Sequence, residues 1–514
     1  MWLELLLFAA AGAVLFYRWA TKNNDFFKQR NVPYGKPAFL FGTVKEITLN
    51  KKSRFDAMIE FYNQHNGPIY GSFDHRDPLL VIRDPQLIKR ILIKDFDHFV
   101  NRRGAFAEGS DNMFGNSLFL MEDDRWRDMR NTLSPAFTGS KMRQMFQLIL
   151  QSIHEAMTYL KEYQMDEETS VEGFEMDVKD FTTRLTNDII ASTAFGLEVN
   201  SFRDKDNEFY KKAMYIMSFP PWIQIKLMFT MIFPTLSKYL NVNIFGKEYT
   251  DYFTNLVFDV MKYRQQHNIQ RPDLIHLLME TRGMIASDNA KPHNREWSDL
   301  DLVAQCFAFF FAALETSSLV MSFAAHELME YPQVQQKLWE EIHKTEDALE
   351  EGQLVTPEII QKMSYLDMVL SEVLRKWPVN VFTDRKCTKD YVYQLPETGE
   401  RIEIRQGDIL RIIMSGLQRD PSYYENPDVF DPERFSEENK SKIDAGIYLP
   451  FGLGPRSCIG MRFALLEVKT FLYYLVRDYQ LEASPKTTLP MEISTANLHF
   501  QPKGGFWLKF KPRN

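Results

Sequence analysis

Cysteine is scarce: Cys306, Cys387 and Cys458 are the three in 514 residues. An odd number, spaced about seventy or eighty residues apart, supports neither a disulfide framework nor a CxxC-type metal cluster, so reducing surroundings are expected. A basic surplus is missing as well. The 61 Lys and Arg stand against 69 Asp and Glu for a net charge of -8, whereas a general nucleic-acid binder needs cations to neutralise phosphates, so no nucleic-acid partner is expected. No internal repeat or low-complexity tract is visible, and neither a phosphate loop nor a GxSxG elbow occurs. GLGPRS fails the dinucleotide fingerprint because Ser457 stands where its last Gly is required. A chain without such a site carries no nicotinamide or flavin reductant of its own, and electrons, if needed, come from a partner.

What the chain has in quantity is apolar material: 45% hydrophobic residues and 41 Phe, enough for one large core and a greasy pocket. Leu5 to Tyr17 (LLLFAAAGAVLFY) is uninterrupted, with Arg18 and Lys22 after it rather than before it. A cleaved signal peptide carries its positive charge ahead of the apolar run, so this polarity predicts a retained anchor over residues 1–20. Positive flanking charge prefers the cytosolic side and would leave the remainder in the cytosol. The run is short against the roughly 20 residues a bilayer needs, which puts Trp2 and Trp19 at the interfaces; a helix lying on the membrane is the alternative. NVPYGKP, with two prolines and a glycine, closes a stiff hinge over 21–37, and one catalytic domain is expected over 38–514.

Within the body, β-branched runs such as LLVIRDP at 79–85 predict a small sheet. From Asp124 to about Trp377 apolar residues recur at helical spacing with few strand signals. Residues 391–413 alternate around PETGE as strand, turn, strand, and GGFWLKFKP reads as extended. The fold class is therefore mainly α with small β-sheets. One helix differs from the rest. Ser298 with Asp301 three residues on is a capping signal, and the chain then runs without Gly or Pro to Tyr331-Pro332. Its middle, Phe307 to Leu314, is apolar on every face and must cross the interior, so Glu315, Thr316 and Ser317 interrupt a buried stretch and need partners.

The stretch Phe451 to Gly460, FGLGPRSCIG, places one of the few cysteines in a glycine-rich loop beside Arg456. Its five fixed positions, F-x-x-G-x-R-x-C-x-G, match by chance on the order of once in ten million windows. A thiolate is the form that binds iron, and its pKa is expected to fall where it faces the N–H groups of a helix start, here the helix read from Gly460 to Tyr474. Gly452, Gly454 and Gly460 would let the backbone wrap around the sulfur without Cβ clashes. The segment resembles the haem-binding loop of the cytochrome P450 family. Further motifs of that family follow its order along nearly the whole body, from about residue 33 on: Trp126-x-x-x-Arg130, Ala312-Ala313-x-Glu315-Thr316, Glu372-x-x-Arg375 and Pro432-Glu433-Arg434-Phe435.

The resemblance implies the P450 fold, with a long central helix over haem b and Cys458 as axial ligand of the iron, which favours O–O cleavage once oxygen is bound. It implies that Phe451 belongs to the haem contacts, and that Trp126, Arg130, Arg385 and Arg456 serve the propionates, with Arg102 a further candidate. Glu372, Arg375 and Arg434 then form an ion-pair network that holds the haem loop; spacing alone does not show this, since Glu122 and Arg125 share it. Thr316 and Glu315 resemble the oxygen-activating pair, a hydroxyl that organises water and an acid that relays protons. The alternative for Thr316 is a bond back to its own helix. Ala313 stands where the family usually has Gly, and its methyl narrows the oxygen groove or reduces helix distortion. Ala308, Phe311 and Ala312 lie on turns that could face haem, and the resemblance adds Val379 to Val381 and the loop Phe106 to Phe119 as pocket walls. Cys306 and Cys387 are expected in the core.

The activity so implied is that of a membrane-anchored monooxygenase on the cytosolic face of the endoplasmic reticulum. NADPH would supply electrons through a separate cytochrome P450 reductase, with cytochrome b5 as a second donor, and one atom of O2 would enter a lipophilic substrate. FFFAALETSS, RKCTKD and the Phe content most resemble the insect xenobiotic-metabolising branch, which implies substrates such as insecticides or plant toxins. Arg125, Arg127, Lys141, Arg143, Lys440 and Lys442 are candidates for a basic reductase-docking face. IKLMFTMIFPTL at 225–236 is either a second membrane contact or core. Two rival readings are a haem-thiolate hydroperoxide isomerase, which needs neither reductase nor Thr316, and a non-enzymatic haem-based sensor or lipid-binding protein. Glu315 and Thr316 favour the monooxygenase.

Overall fold

The computed structural model describes residues 1–513 except 105–112, 167–171, 241, 283, 285–296, 396–398 and 496–499. Phe106 lies outside the described residues. The central helix, Asp299–Glu330, starts where the capping signal puts it: Ser298 Oγ accepts the Asp301 amide at 3.1 Å, and Asp301 Oδ2 accepts the Ser298 amide at 3.0 Å. Its two halves enter different apolar cores. Leu302, Val303, Cys306, Phe307, Phe310 and Leu314 pack in a helical core with Trp126, Phe195, Phe209 and Phe253. Leu319, Met321, Phe323 and Leu328 pack in a larger core built on the sheets and the C-terminal helices. Glu315 to Ser318 therefore fall at the seam between two cores, where polar groups meet partners from other elements instead of hydrocarbon alone.

The strands among the described residues are short: β1 Ile69–Asp74, β2 Asp77–Ile82, β3 Phe174–Asp177, β4 Thr383–Lys386, β5 Tyr391–Gln394, β6 Arg401–Ile404, β7 Ile409–Ile412, β8 Tyr479–Ala483 and β9 Trp507–Pro512. The largest sheet has the order β1-β2-β7-β4, with β2 and β7 parallel and the other pairs antiparallel. Arg385 pairs with Leu410 in it. Two expectations change in detail. β3 lies inside the stretch read as helical and pairs with β9, Phe174 opposite Phe510, a partner too distant in sequence for local periodicity to reveal. In 391–413, β5 and β6 form the hairpin, Tyr393 opposite Ile402, but β7 belongs to the other sheet.

The N-terminal helix, Trp2–Thr21, has 20 residues, of which only Ala20 is buried. It is one of two helices among the described residues long and apolar enough to cross a membrane; the other is the central helix, which is mostly buried. The segment that follows is fastened to the body. Phe27 is fully buried against Gly71, where a Cβ would come within 2.5 Å of its ring. Arg30 pairs with Asp408 at 2.6 Å, and the Gly71 amide donates to the Pro33 carbonyl at 2.7 Å. The segment thus docks along β1 at Gly71.

Candidate active site

Cys458 ends a loop that two glycines permit. Gly452 and Gly454 have φ of +70° and +73°, and a Cβ at Gly454 would stand 1.8 Å from the Leu92 carbonyl oxygen. Gly460 has an ordinary φ of -86° and caps the helix Met461–Asp478; a Cβ there would meet nothing closer than Phe137 at 3.9 Å, so wrapping does not require it. The Cys458 amide donates to the Phe451 carbonyl at 2.8 Å and closes the loop, while the Phe451 ring packs on the larger core. Cys458 is accessible although protein atoms surround it closely, so its free surface is that of a cleft and not of the molecular exterior. Contrary to expectation, the thiol is not depressed by the protein alone. Burial pushes it up, outweighing the Gly460 amide, Arg130 and Arg102, which pull it down. Coordination to a metal ion deprotonates such a thiol outright.

Four arginines gather beside the loop. Arg456 is buried, its guanidinium 4.0 Å over the Trp126 ring, and it donates to the carbonyls of Val100 at 2.9 Å, Leu118 at 3.3 Å and Met121 at 2.7 Å. Three of its five N–H groups thus serve the backbone, and Trp126 acts as the platform beneath it, which the sequence did not indicate. Arg102 donates to the Arg456 carbonyl at 2.8 Å. Arg385, on β4, donates to the Asp384 carbonyl at 2.8 Å and leaves a buried Nε without a partner among the described residues. Burial and the neighbouring arginines push Arg456 down to about 8 and Arg385 down to about 9, with Asp384 and Glu122 only partly offsetting this. Arg130 is half-buried and lowered by burial. A buried cluster of like charges with an orphaned donor is what a dicarboxylate needs, so the residues fit a haem held through its propionates and Cys458.

The central helix supplies the opposite wall. Its middle is accessible along one stripe, which includes Ala308, Phe311, Ala312 and Thr316, while Leu314 and Ser317 on other faces are buried. Phe309 stacks on Phe137 at 5.5 Å, the same ring that lies next to Gly460, and so links this stripe to the loop. Thr316 Oγ1 donates to the Ala312 carbonyl at 2.8 Å, the back-bonded arrangement. Glu315 turns to the helix Val178–Ile190, where Lys179 Nζ lies 3.0 Å from its Oε2. Ser317 Oγ donates to Glu467 Oε2 at 2.8 Å on the helix that follows the loop. Neither Lys179 nor Glu467 was singled out from the sequence. A lysine in an amphipathic helix and a glutamate in an apolar one carry no local mark of a partner more than a hundred residues away.

Phe311 forms an aromatic wall with Phe114 at 5.3 Å, Phe219 at 6.0 Å and Phe245 at 6.2 Å. Phe219 and Phe245 are additions to the sequence reading. Val379 is partly accessible and Val381 is buried in the larger core. Glu372 and Arg375 are both completely buried and joined by two bonds of 2.7 Å; Arg434 lies 3.4 Å from Glu372, and Arg375 also donates to the Gln418 carbonyl. The Asp431 amide donates to Glu372 at 2.9 Å, so the network clamps the segment around Arg434 to the helix Ser364–Lys376. Cys306 and Cys387 are buried, and burial pushes the Cys387 thiol up to about 11.

The cytochrome P450 family profile matches residues 32–509. The chain is 50% identical to probable cytochrome P450 9f2 of Drosophila melanogaster across the whole of both chains. It is 40% identical to cytochrome P450 9e2 of Blattella germanica over 99% of this chain and 98% of that one. It is 33% identical to cytochrome P450 3A11 of Mus musculus over 100% and 97%. With a family profile over nearly the whole body and relatives of 33–50% identity along the full length, the chain belongs to the cytochrome P450 family.

Proposed function

We propose that this monooxygenase takes electrons from NADPH through a separate reductase and oxidises lipophilic xenobiotics at the cytosolic face of the endoplasmic reticulum. The observation that carries the reading is the cleft itself, where the Cys458 loop and an accessible hydroxyl on the central helix meet walls of phenylalanine. Haem bound through Cys458 would supply oxygen activation. The chain's own residues do the rest. Arg130, Arg385 and Arg456, with Trp126 beneath Arg456, would hold the propionates. Phe311, Phe114 and Phe219 exclude water and receive an apolar substrate. The Thr316 hydroxyl gives its own proton to the Ala312 carbonyl and orients water through the lone pairs that remain, and Glu315, paired with Lys179, holds and passes protons.

Residues 1–20 form the anchor in this reading, followed by the docked segment 21–37 and the catalytic domain 38–514. The helix Pro221–Ile232 supports a second membrane contact, since Ile225, Met228, Phe233 and Leu236 in and just after it are exposed. Trp19 stacks on Phe233 at 5.5 Å and carries Arg76 over its ring at 3.4 Å, so the end of the anchor and this helix share one face. The reductase-docking face loses one member: Arg125 is largely shielded and bound to Asp301 at 2.5 Å. Of the other five, Lys141 is partly exposed, and Arg127, Arg143, Lys440 and Lys442 are on the surface in exchangeable contacts with Asp97, Glu358, Glu437 and Asn439.

Reconstitution with a flavoprotein reductase, NADPH and isotopically labelled dioxygen tests the whole. Label in the product of a lipophilic substrate, dependent on NADPH, is the expected result. Conversion of a hydroperoxide without NADPH and without label would replace it with the isomerase reading. Cys458→Ala should abolish the thiolate–CO spectrum; its persistence would refute the ligand assignment.

A further inference from the structure

Three consecutive residues of the central helix address three different neighbours. Each is turned by about 100° from the last, as 3.6 residues per turn dictates. Glu315 meets Lys179, Ser317 meets Glu467, and Thr316 is left to the cleft. The first contact is reinforced: Lys179 Nζ also donates to Ser318 Oγ at 2.7 Å, and Thr182 Oγ1 donates to the Ser318 carbonyl at 3.1 Å. The second contact is a single bond. Glu467 is completely buried, its Oε1 has no hydrogen-bond partner among the described residues, and Ser317 is the one polar group that acts on it. Phe463, Leu466 and Phe471 share its helix. A buried carboxyl with no counter-charge costs folding free energy that a packed leucine would not, so stability does not explain its presence. Its place does have a consequence. Glu467 lies nine residues after Cys458, on the helix that the ligand loop opens, and Ser317 follows Thr316 directly.

We propose that the Ser317–Glu467 hydrogen bond is a positioning contact that fixes the rotation of the central helix relative to the helix of the cysteine loop, and so places Thr316, with its hydroxyl oxygen held against the Ala312 carbonyl, at the cleft. It rests on the reading of Cys458 as ligand and Thr316 as the oxygen-side hydroxyl. Lys179 holds one side of the central helix and Glu467 the other; with either side released, the helix can rock about its axis and carry Thr316 with it.

Ser317→Ala removes the donor, Glu467→Leu removes the acceptor, and Glu467→Gln keeps an acceptor oxygen of the same shape. Full-length holoenzyme is compared in three readouts: the thiolate–CO spectrum, the EPR spectrum of the low-spin ferric haem, and peroxide released per NADPH consumed. All variants should keep the thiolate–CO spectrum. Ser317→Ala and Glu467→Leu should shift the EPR signal and raise peroxide release about threefold or more, because small misplacements of a positioned group carry large kinetic effects. Glu467→Gln should match wild type in both. Thr316→Ala is measured alongside. Uncoupling in Thr316→Ala with wild-type behaviour in Ser317→Ala and Glu467→Leu would overturn the positioning contact and leave the role of Thr316 standing; unchanged coupling in Thr316→Ala would overturn both. Should Glu467→Leu fail to fold, Ser317→Ala decides alone, and loss of its thiolate–CO band would mark the contact as structural and overturn the proposal.

Discussion

Lys179 Nζ lies 3.0 Å from Glu315 Oε2 and 3.1 Å from Thr183 Oγ1, so the acid beside Thr316 is held by a cation on a neighbouring helix. Both charged groups are largely shielded from solvent, which makes the pair stronger than a surface bridge. Removing the ammonium frees the carboxylate to leave its position. Lys179→Met should therefore lower NADPH-supported product formation by about a hundredfold at saturating substrate, the lower end of what loss of a proton-transfer group costs. Glu315→Gln should produce a similar deficit, and both variants should show a raised solvent isotope effect. Because the two act as one unit, the double variant should be little worse than either single one. Deficits that multiply would show that Lys179 and Glu315 act independently.

Glu372 and Arg375 offer a test of architecture in place of chemistry. Replacing Glu372 with Ala leaves Arg375 as a buried cation without its carboxylate and the Asp431 amide without an acceptor. The expected loss is about 3–5 kcal/mol, the penalty for breaking one side of a buried pair. Arg434→Ala removes a longer contact, at 3.4 Å, and leaves Glu372 paired with Arg375, so it should cost less than Glu372→Ala. Denaturant midpoints of the two holoenzyme variants, followed through the thiolate–CO band, rank them. Equal losses would contradict the assignment of the network's centre to Glu372 and Arg375.

Much of this site is legible in the sequence where the signal is local. The capping pair Ser298 and Asp301 and the glycines Gly452 and Gly454 before Cys458 each concern residues a few positions apart, and backbone geometry ties such spacings to a helix start or a sharp turn; the i, i+3 spacing of Glu372 and Arg375 gives only a shared face, and their network is legible through the family resemblance. What is not legible is long-range pairing. Nothing near Lys179 announces Glu315, nothing near Glu467 announces Ser317, and β3 gives no sign of β9. Gly454 is small because of Leu92, and Arg456 spends three donors on backbone carbonyls more than three hundred residues away. The thiol of Cys458 shows the same limit: the helix start predicts a lowered pKa, but burial, a property of the whole fold, outweighs it even with Arg130 and Arg102 pulling the same way.

Membrane attachment should depend on two surfaces. Deleting residues 2–21 removes the exposed apolar helix but leaves Ile225, Met228, Phe233 and Leu236 exposed. The truncated chain should keep its thiolate–CO spectrum and bind phospholipid vesicles more weakly while still sedimenting with them, because exposed apolar patches of this kind retain interfacial affinity. Charged substitutions at Ile225 and Met228 in the truncated chain should then release it. Full release by truncation alone would restrict attachment to the N-terminal helix.

Glu467 gives a prediction whose sign is fixed by linkage. Its carboxyl ordinarily titrates near 4.5, and burial pushes it up to about 8 in the fold, with only the Ser317 hydroxyl opposing. Below the lower value both folded and unfolded chains hold the proton, and the group adds nothing to the pH dependence. Between the two values the unfolded chain has released its proton and the folded chain has not. The folded state then binds more protons, and stability falls as pH rises, by at most about 1.4 kcal/mol per pH unit. Above the higher value both states are ionised and the fall levels off. Glu467→Gln keeps the shape and the acceptor for Ser317 but has no proton to release, so it escapes the loss. Thermal midpoints of the two holoenzymes should lie closest near pH 5 and separate toward pH 8, with the glutamine variant the more stable at the upper end. A separation that stays constant from pH 5 to 8 would mean that Glu467 is already ionised in the fold. The contact with Ser317 would then be a charged one, with a polar partner close to Oε1.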